Sequence, residues 1–166
     1  MGRFYRLIVV AATALGVLGG QAAAETSVFT SISPAQLQKT LGPALSVGEQ
    51  GGDTVLEGEV DGAFFSVFFY NCDGGAFDGF AKPASECLSF EYRAYFTDYP
   101  DDGETLAAFN AAHHFGALWR DPLADEALAL HMPVIVEGGV TEANIKATFR
   151  WWRETIRAFD RFMENR

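Results

Sequence analysis

The chain has 166 residues, with 12 Lys and Arg against 22 Asp and Glu and a formal net charge of −10. Acidity on this scale argues against a nucleic-acid partner and against anionic lipid surfaces. The length fits one domain with a real hydrophobic core.

Residues 1–24 read as a cleaved secretory leader. Arg3 and Arg6 precede an apolar run from Leu7 to Gly20, and Ala22 and Ala24 offer the small positions an export peptidase needs. The run is too short for a membrane helix, which takes about 20 apolar residues. No Cys follows it to carry a lipid. The expectation is a periplasmic or secreted protein, with residues 25–166 as a single domain and no membrane span after cleavage.

"SPAQLQKTLGPAL" reads as a short helix: Ser33 caps it, Pro34 suits its first position, and Gly42 with Pro43 stops it. The stretch from Ser46 to Cys72 reads as a loop followed by a hairpin turning at Asp61-Gly62. Within it, "FFSVFFY" is apolar on both alternating faces, Phe65, Val67 and Phe69 on one and Phe64, Phe68 and Tyr70 on the other, so the strand calls for cover on both sides. "CLSFEYRAYF" alternates, with Leu88, Phe90, Tyr92, Ala94 and Phe96 on one face and Ser89, Glu91, Arg93 and Tyr95 on the other.

A helix follows, capped by Asp102, with Leu106, Phe109, Ala112 and His113 along one side and Gly116 at its end. "ALWRD" and "EALALHMPVIVE" pair around "DPLAD", and Pro133 places the second strand near an edge or turns its nitrogen outward. Thr141 caps a last helix whose apolar positions Ile145, Phe149, Trp152, Ile156, Phe159 and Met163 form one stripe. The resulting order is α-β-β-β-α-β-β-α: an α+β domain with an antiparallel sheet of about five strands and helices packed on it.

Cys72 and Cys87 are the only cysteines. In an oxidising compartment, two cysteines flanking a hairpin connection read as a structural disulfide, whereas a redox pair would favour Cys-x-x-Cys. His113, His114 and His131 have no metal-ligand spacing. Asp73 and Asp78 in one loop, and Asp98, Asp101 and Asp102 in another, lack the alternating order of a calcium loop and read as turn residues. No metal and no cofactor is expected. Neither a nucleophile elbow nor a phosphate-cradling glycine loop is present, and no enzyme activity is expected.

One charge pattern stands out. Arg150, Arg153, Arg157 and Arg161 run beside the buried stripe of the last helix, with Trp151 and Phe162 on the opposite flank. Two readings stay open for the arginines: a solvated helix face, or a ridge for an acidic partner or a second copy of the chain. Trp151 and Phe162 are either packed against a neighbour or exposed for a partner.

The second half of the chain resembles YbjN-like domains, described as bacterial sensory transduction regulators. The resemblance rests on Asn110 on a helix, Phe115-Gly116 closing it, Gly138-Gly139-Val140-Thr141 opening the last helix, and Trp152. "FFSVFFYNC" and "CLSFEYRAYF" are similar to the family's central strands, so the likeness runs from about Pro34 to Met163. It implies the fold of type III secretion chaperones, small α+β domains that act by binding other proteins. The sequence thus points to an exported, non-catalytic, protein-binding or regulatory domain that works through its aromatic sheet or its last helix. The alternative is an exported small-ligand or metal-binding regulator that uses the loops around Asp73 to Asp78 and the histidines.

Overall fold

The structure is a computed structural model that describes residues 27–73, 81–97, 99, 103–122, 124 and 127–165. The expected leader, Asp78, Asp98, Asp101 and Asp102 lie outside the described residues. Eight strands and three helices follow in the order β1 (Val28–Phe29), α1 (Pro34–Leu41), β2 (Leu45–Gln50), β3 (Asp53–Val60), β4 (Ala63–Cys72), β5 (Cys87–Phe96), α2 (Gly103–Ala112), β6 (Ala117–Asp121), β7 (Ala127–Ile135), β8 (Val140–Thr141) and α3 (Glu142–Glu164).

Six strands form one antiparallel sheet in the order β2-β3-β4-β5-β7-β6, and β1 pairs with β8 in a second, two-stranded one. The main sheet therefore has one strand more than the five expected. The addition is β2, in a stretch read as loop; Leu45 and Val47 are its only apolar residues, too short an alternation to mark a strand. Gly51 and Gly52, both at positive φ, close it onto β3, pairing Gln50 with Asp53. The turn at Asp61-Gly62 is as expected, with φ of 51° and 93° and Val60 opposite Ala63.

Local chemistry accounts for the helices. Ser33 and Gln36 exchange side-chain and backbone hydrogen bonds of 3.3 and 2.8 Å, a capping box at the start of α1. Thr141 accepts from the Asn144 amide at the start of α3. The α3 stripe is buried as its spacing requires: Ile145, Trp152, Ile156 and Phe159 are inaccessible, and Phe149 and Met163 pack at the margin of the core. Each such side chain contributes about 1.5–3 kcal/mol by leaving water.

The core lies between the helices and one face of the sheet. Leu56, Phe65, Val67, Phe90, Tyr92, Leu130 and Met132 point into it, and the Tyr92 ring stacks on Trp152 with centroids 5.6 Å apart. On α2, Phe109 enters the core and Leu106 packs against it, whereas Ala112 is exposed. Pro133 lies on β7 beyond the last residue paired with β6, where β7 is itself an edge.

The expectation of cover on both faces of β4 is not met. Phe65, Val67 and Phe69 are buried, but Phe64 on the other face is 75% exposed, and Phe68 and Tyr70 are half-buried. Tyr70 and Phe68 are shielded instead by one long side chain, Arg93, from the neighbouring strand.

Candidate functional site

The register assembles the open face of the sheet from alternate residues of six strands. Ser66 lies opposite Arg93, Phe68 opposite Glu91 and Tyr70 opposite Ser89; Arg93 lies opposite His131 across the next ladder, and Tyr95 opposite Ala129. Trp119 and Asp121 join from β6. A one-residue slip in any ladder would send these groups into the core.

Arg93 is the centre of the face. Its Nε donates to Glu91 Oε1 at 2.7 Å, Nη2 to the Tyr70 hydroxyl at 3.0 Å and Nη1 to the Tyr95 hydroxyl at 3.1 Å. The Tyr95 hydroxyl in turn donates to Asp121 Oδ2 at 2.9 Å, and Arg93 Nη1 lies 3.7 Å from the same oxygen. The guanidinium stands 4.8 Å from the centroid of Phe68 and 5.5 Å from that of Trp119, within cation–π range. His131 Nδ1 lies 3.3 Å from Glu91 Oε2. Trp119 Nε1 is buried without a hydrogen-bond partner among the described residues.

The electrostatics follow from this packing. Burial pushes the Glu91 carboxyl up, but the His131 hydrogen bond and the Arg93 charge outweigh it and hold the group below the ordinary glutamate range. Burial, with the Glu91 charge, pushes the Tyr70 phenol up to about 12. Tyr95 is raised as well, mainly by burial. Arg93 resists desolvation because Tyr95 and Glu91 hold its proton. The face thus carries a fixed cation, a fixed carboxylate and two neutral phenols.

Two shallow depressions flank this centre. One is lined by Ser46, Glu57, Phe64, Ser66, Arg93 and Tyr95, the other by Tyr70, Ser89, Glu91, Pro133, Ile135 and Glu137. Ile135, at the rim of the second, is 69% exposed.

The helix residues singled out from sequence lie elsewhere. Arg150, Arg153 and Arg161 are exposed on α3. Arg157 is engaged: its Nε donates to Asp61 Oδ2 and its Nη1 to Glu154 Oε1, both at 2.6 Å, which ties the β3–β4 turn to the helix. Trp151 is 43% exposed and stacks on Phe115, centroids 4.5 Å apart, while Phe162 is half-buried against Phe109 and His113. Cys72 and Cys87 form the disulfide, as opposite residues of β4 and β5.

The histidines do not converge. His113 stacks on Phe109, His114 is exposed and His131 faces Glu91. Among the described residues no three His, Cys, Asp or Glu stand close enough to hold a metal ion, and no helix is long and apolar enough to cross a membrane. What sequence reading missed is the open face itself. Its members were visible strand by strand as the second face of β4 and the polar face of β5, but only the register brings Tyr70, Arg93, His131 and Asp121 together.

Neither a curated protein nor a solved structure matches the chain. A family model does: YbjN, described as "Putative bacterial sensory transduction regulator", matches residues 42–165, which take in every strand of the main sheet and the helices α2 and α3. The chain belongs to the YbjN family.

Proposed function

We propose that the chain is exported and acts as a non-catalytic regulatory domain that binds a partner protein on the open face of its sheet, in the manner of a type III secretion chaperone-like domain. One observation carries the reading: the helices pack against one face of the main sheet, and the other presents Phe64, Tyr95 and Ile135 around a cluster of charges paired with one another. An exposed aromatic patch with an internally paired polar centre is the composition of a protein contact. Export is supported by the leader-like residues 1–24 and by the disulfide, a bond that persists in oxidising compartments. The non-catalytic reading rests on Glu91 and Arg93, whose charges are committed to each other.

A photo-crosslinking side chain at position 64, compared with one at position 151 on α3, tests this in a bacterial host. Recovery of the processed protein from the periplasm, with a partner crosslinked from position 64, supports the reading. An unprocessed cytoplasmic chain, or crosslinks from 151 alone, overturns it. The small-ligand alternative has one observation in its favour, the depression between Tyr70 and Ile135.

A further inference from the structure

The two edges of the main sheet are treated differently. At the β6 edge, the Asn110 side chain from α2 donates to the Leu118 carbonyl at 2.9 Å and accepts from the Leu118 amide at 2.7 Å, so a side chain occupies the place of a further strand. At the β2 edge only Leu45 is held in a comparable way. Because Gln50 and Asp53 flank a two-residue turn, they form a hydrogen-bonded pair, and by alternation Leu45, Val47 and Glu49 turn their backbone groups outward. The Leu45 amide donates to the Gly42 carbonyl at 3.4 Å and its carbonyl accepts from Gln38 Nε2 at 3.0 Å; Val47 and Glu49 have no such partners among the described residues. β2 also lacks the lysine, proline or bulge by which sheet edges are commonly blunted.

The side chains along this edge specify a visitor. On the open face, Gly48 leaves a gap that Glu57 fills from β3: its carboxylate atoms lie 2.6–2.9 Å from where a Cβ on Gly48 would stand. An acid on the second strand thus reaches over the edge strand, beside the depression that also holds Glu59 and Phe64. On the helix side, Val47 is 53% exposed and offers an apolar contact. No ion pair engages Glu57 or Glu59 among the described residues, on a chain of net charge −10.

We propose that β2 is a docking edge for an extended segment of a partner protein whose residues alternate cationic and apolar. The segment adds a seventh strand, setting its cations beside Gly48 and Glu57 and its apolar side chains against Val47. This rests on the protein-binding reading above and names the partner's chemistry.

The test uses the disulfide-bonded chain and short synthetic peptides: alternating Lys and Val, alternating Glu and Val, and the Lys–Val peptide N-methylated along one edge. Amide exchange by NMR is the readout. The Lys–Val peptide is expected to slow exchange at Val47 and Glu49 by about tenfold or more at saturation. The Glu–Val and N-methylated peptides should not. Glu57→Gln, or Gly48→Ala, which displaces the Glu57 carboxylate, should weaken binding by about threefold to tenfold with core exchange unchanged. Equal protection by the Lys–Val and Glu–Val peptides, or none, overturns the proposal. So does protection that grows with protein concentration alone, because the occupant is then a second copy. A partner crosslinked from position 64 without peptide protection at Val47 sinks edge pairing and leaves the wider reading standing. No crosslink at all sinks the wider reading.

Discussion

Asn110 holds both backbone groups of Leu118, one as donor and one as acceptor, and thereby fastens α2 to the outer strand of the sheet. Removing the amide strands a donor and an acceptor on a residue that is almost fully buried. Asn110→Ala should cost about 1–3 kcal/mol, and Asn110→Asp, which keeps the acceptor alone, should also destabilise. Chemical denaturation measures the cost, and amide exchange at Leu118 should accelerate more than exchange in β4. Unchanged exchange there would show that α2 is held by packing alone.

The disulfide closes a separation of 15 residues. In the chain-entropy view, loss of such a closure destabilises by about 3 kcal/mol. The double variant Cys72→Ser, Cys87→Ser should show that loss in denaturant titrations, and reductant should lower the wild-type midpoint without affecting the variant. A wild-type midpoint insensitive to reductant would contradict a stabilising clip.

Glu91 predicts an acid limb. Its folded pKa is lowered, so between that value and the unfolded one the unfolded state binds more protons and stability rises with pH. The contribution is present above the ordinary glutamate pKa of about 4.3 and is lost as pH falls through the folded value. Glu91→Gln should flatten stability against pH in that range relative to wild type. It should also lower stability at neutral pH, because the half-buried Arg93 loses its nearest charge partner.

Tyr70 predicts the opposite limb. Its folded pKa is raised to about 12, so the folded state keeps a proton that the unfolded chain gives up near pH 10. Stability from this group is complete below about pH 10 and declines as pH rises toward the folded value. Spectrophotometric titration of wild type against Tyr70→Phe should show the missing phenol in the late-ionising class. Its absence from the early class instead would contradict the burial argument.

Two adjacent tryptophans should behave differently. Trp152 is inaccessible and packs against Phe65 and Tyr92, whereas Trp151 stacks on Phe115 at the surface. Trp152→Ala should cost about 3–5 kcal/mol, and Trp151→Ala about 1 kcal/mol. Thermal denaturation of the two variants side by side checks the order.

What the sequence disclosed depended on how local each signal was. The α3 stripe, the Asp61-Gly62 turn and the cysteine pair are readable because spacing within one segment, or turn chemistry, determines them. β2 was not, since Leu45 and Val47 alone make too short an alternation; pairing with β3 defines it. The Arg93 cluster joins four strands whose order in space is not their order in the chain, with β7 lying between β5 and β6. Asp121 meets Tyr95 across the intervening β7, a contact that the chain order does not reveal. The same limit hid the open face, because alternation tells which residues share a side but not which side the helices take.

The small sheet of β1 and β8 has a consequence for the order of folding. Val28 pairs with Thr141 and Phe29 with Val140, so the first described strand finds its partner only where the last helix begins. The meander from β2 to β5 needs only near neighbours and can organise early, but the N-terminal strand must wait until nearly the whole chain exists. Ile32, bridged to Cys87 through both backbone groups, can seat the segment before α1 earlier, so closure of β1 on β8 completes an attachment that β5 begins.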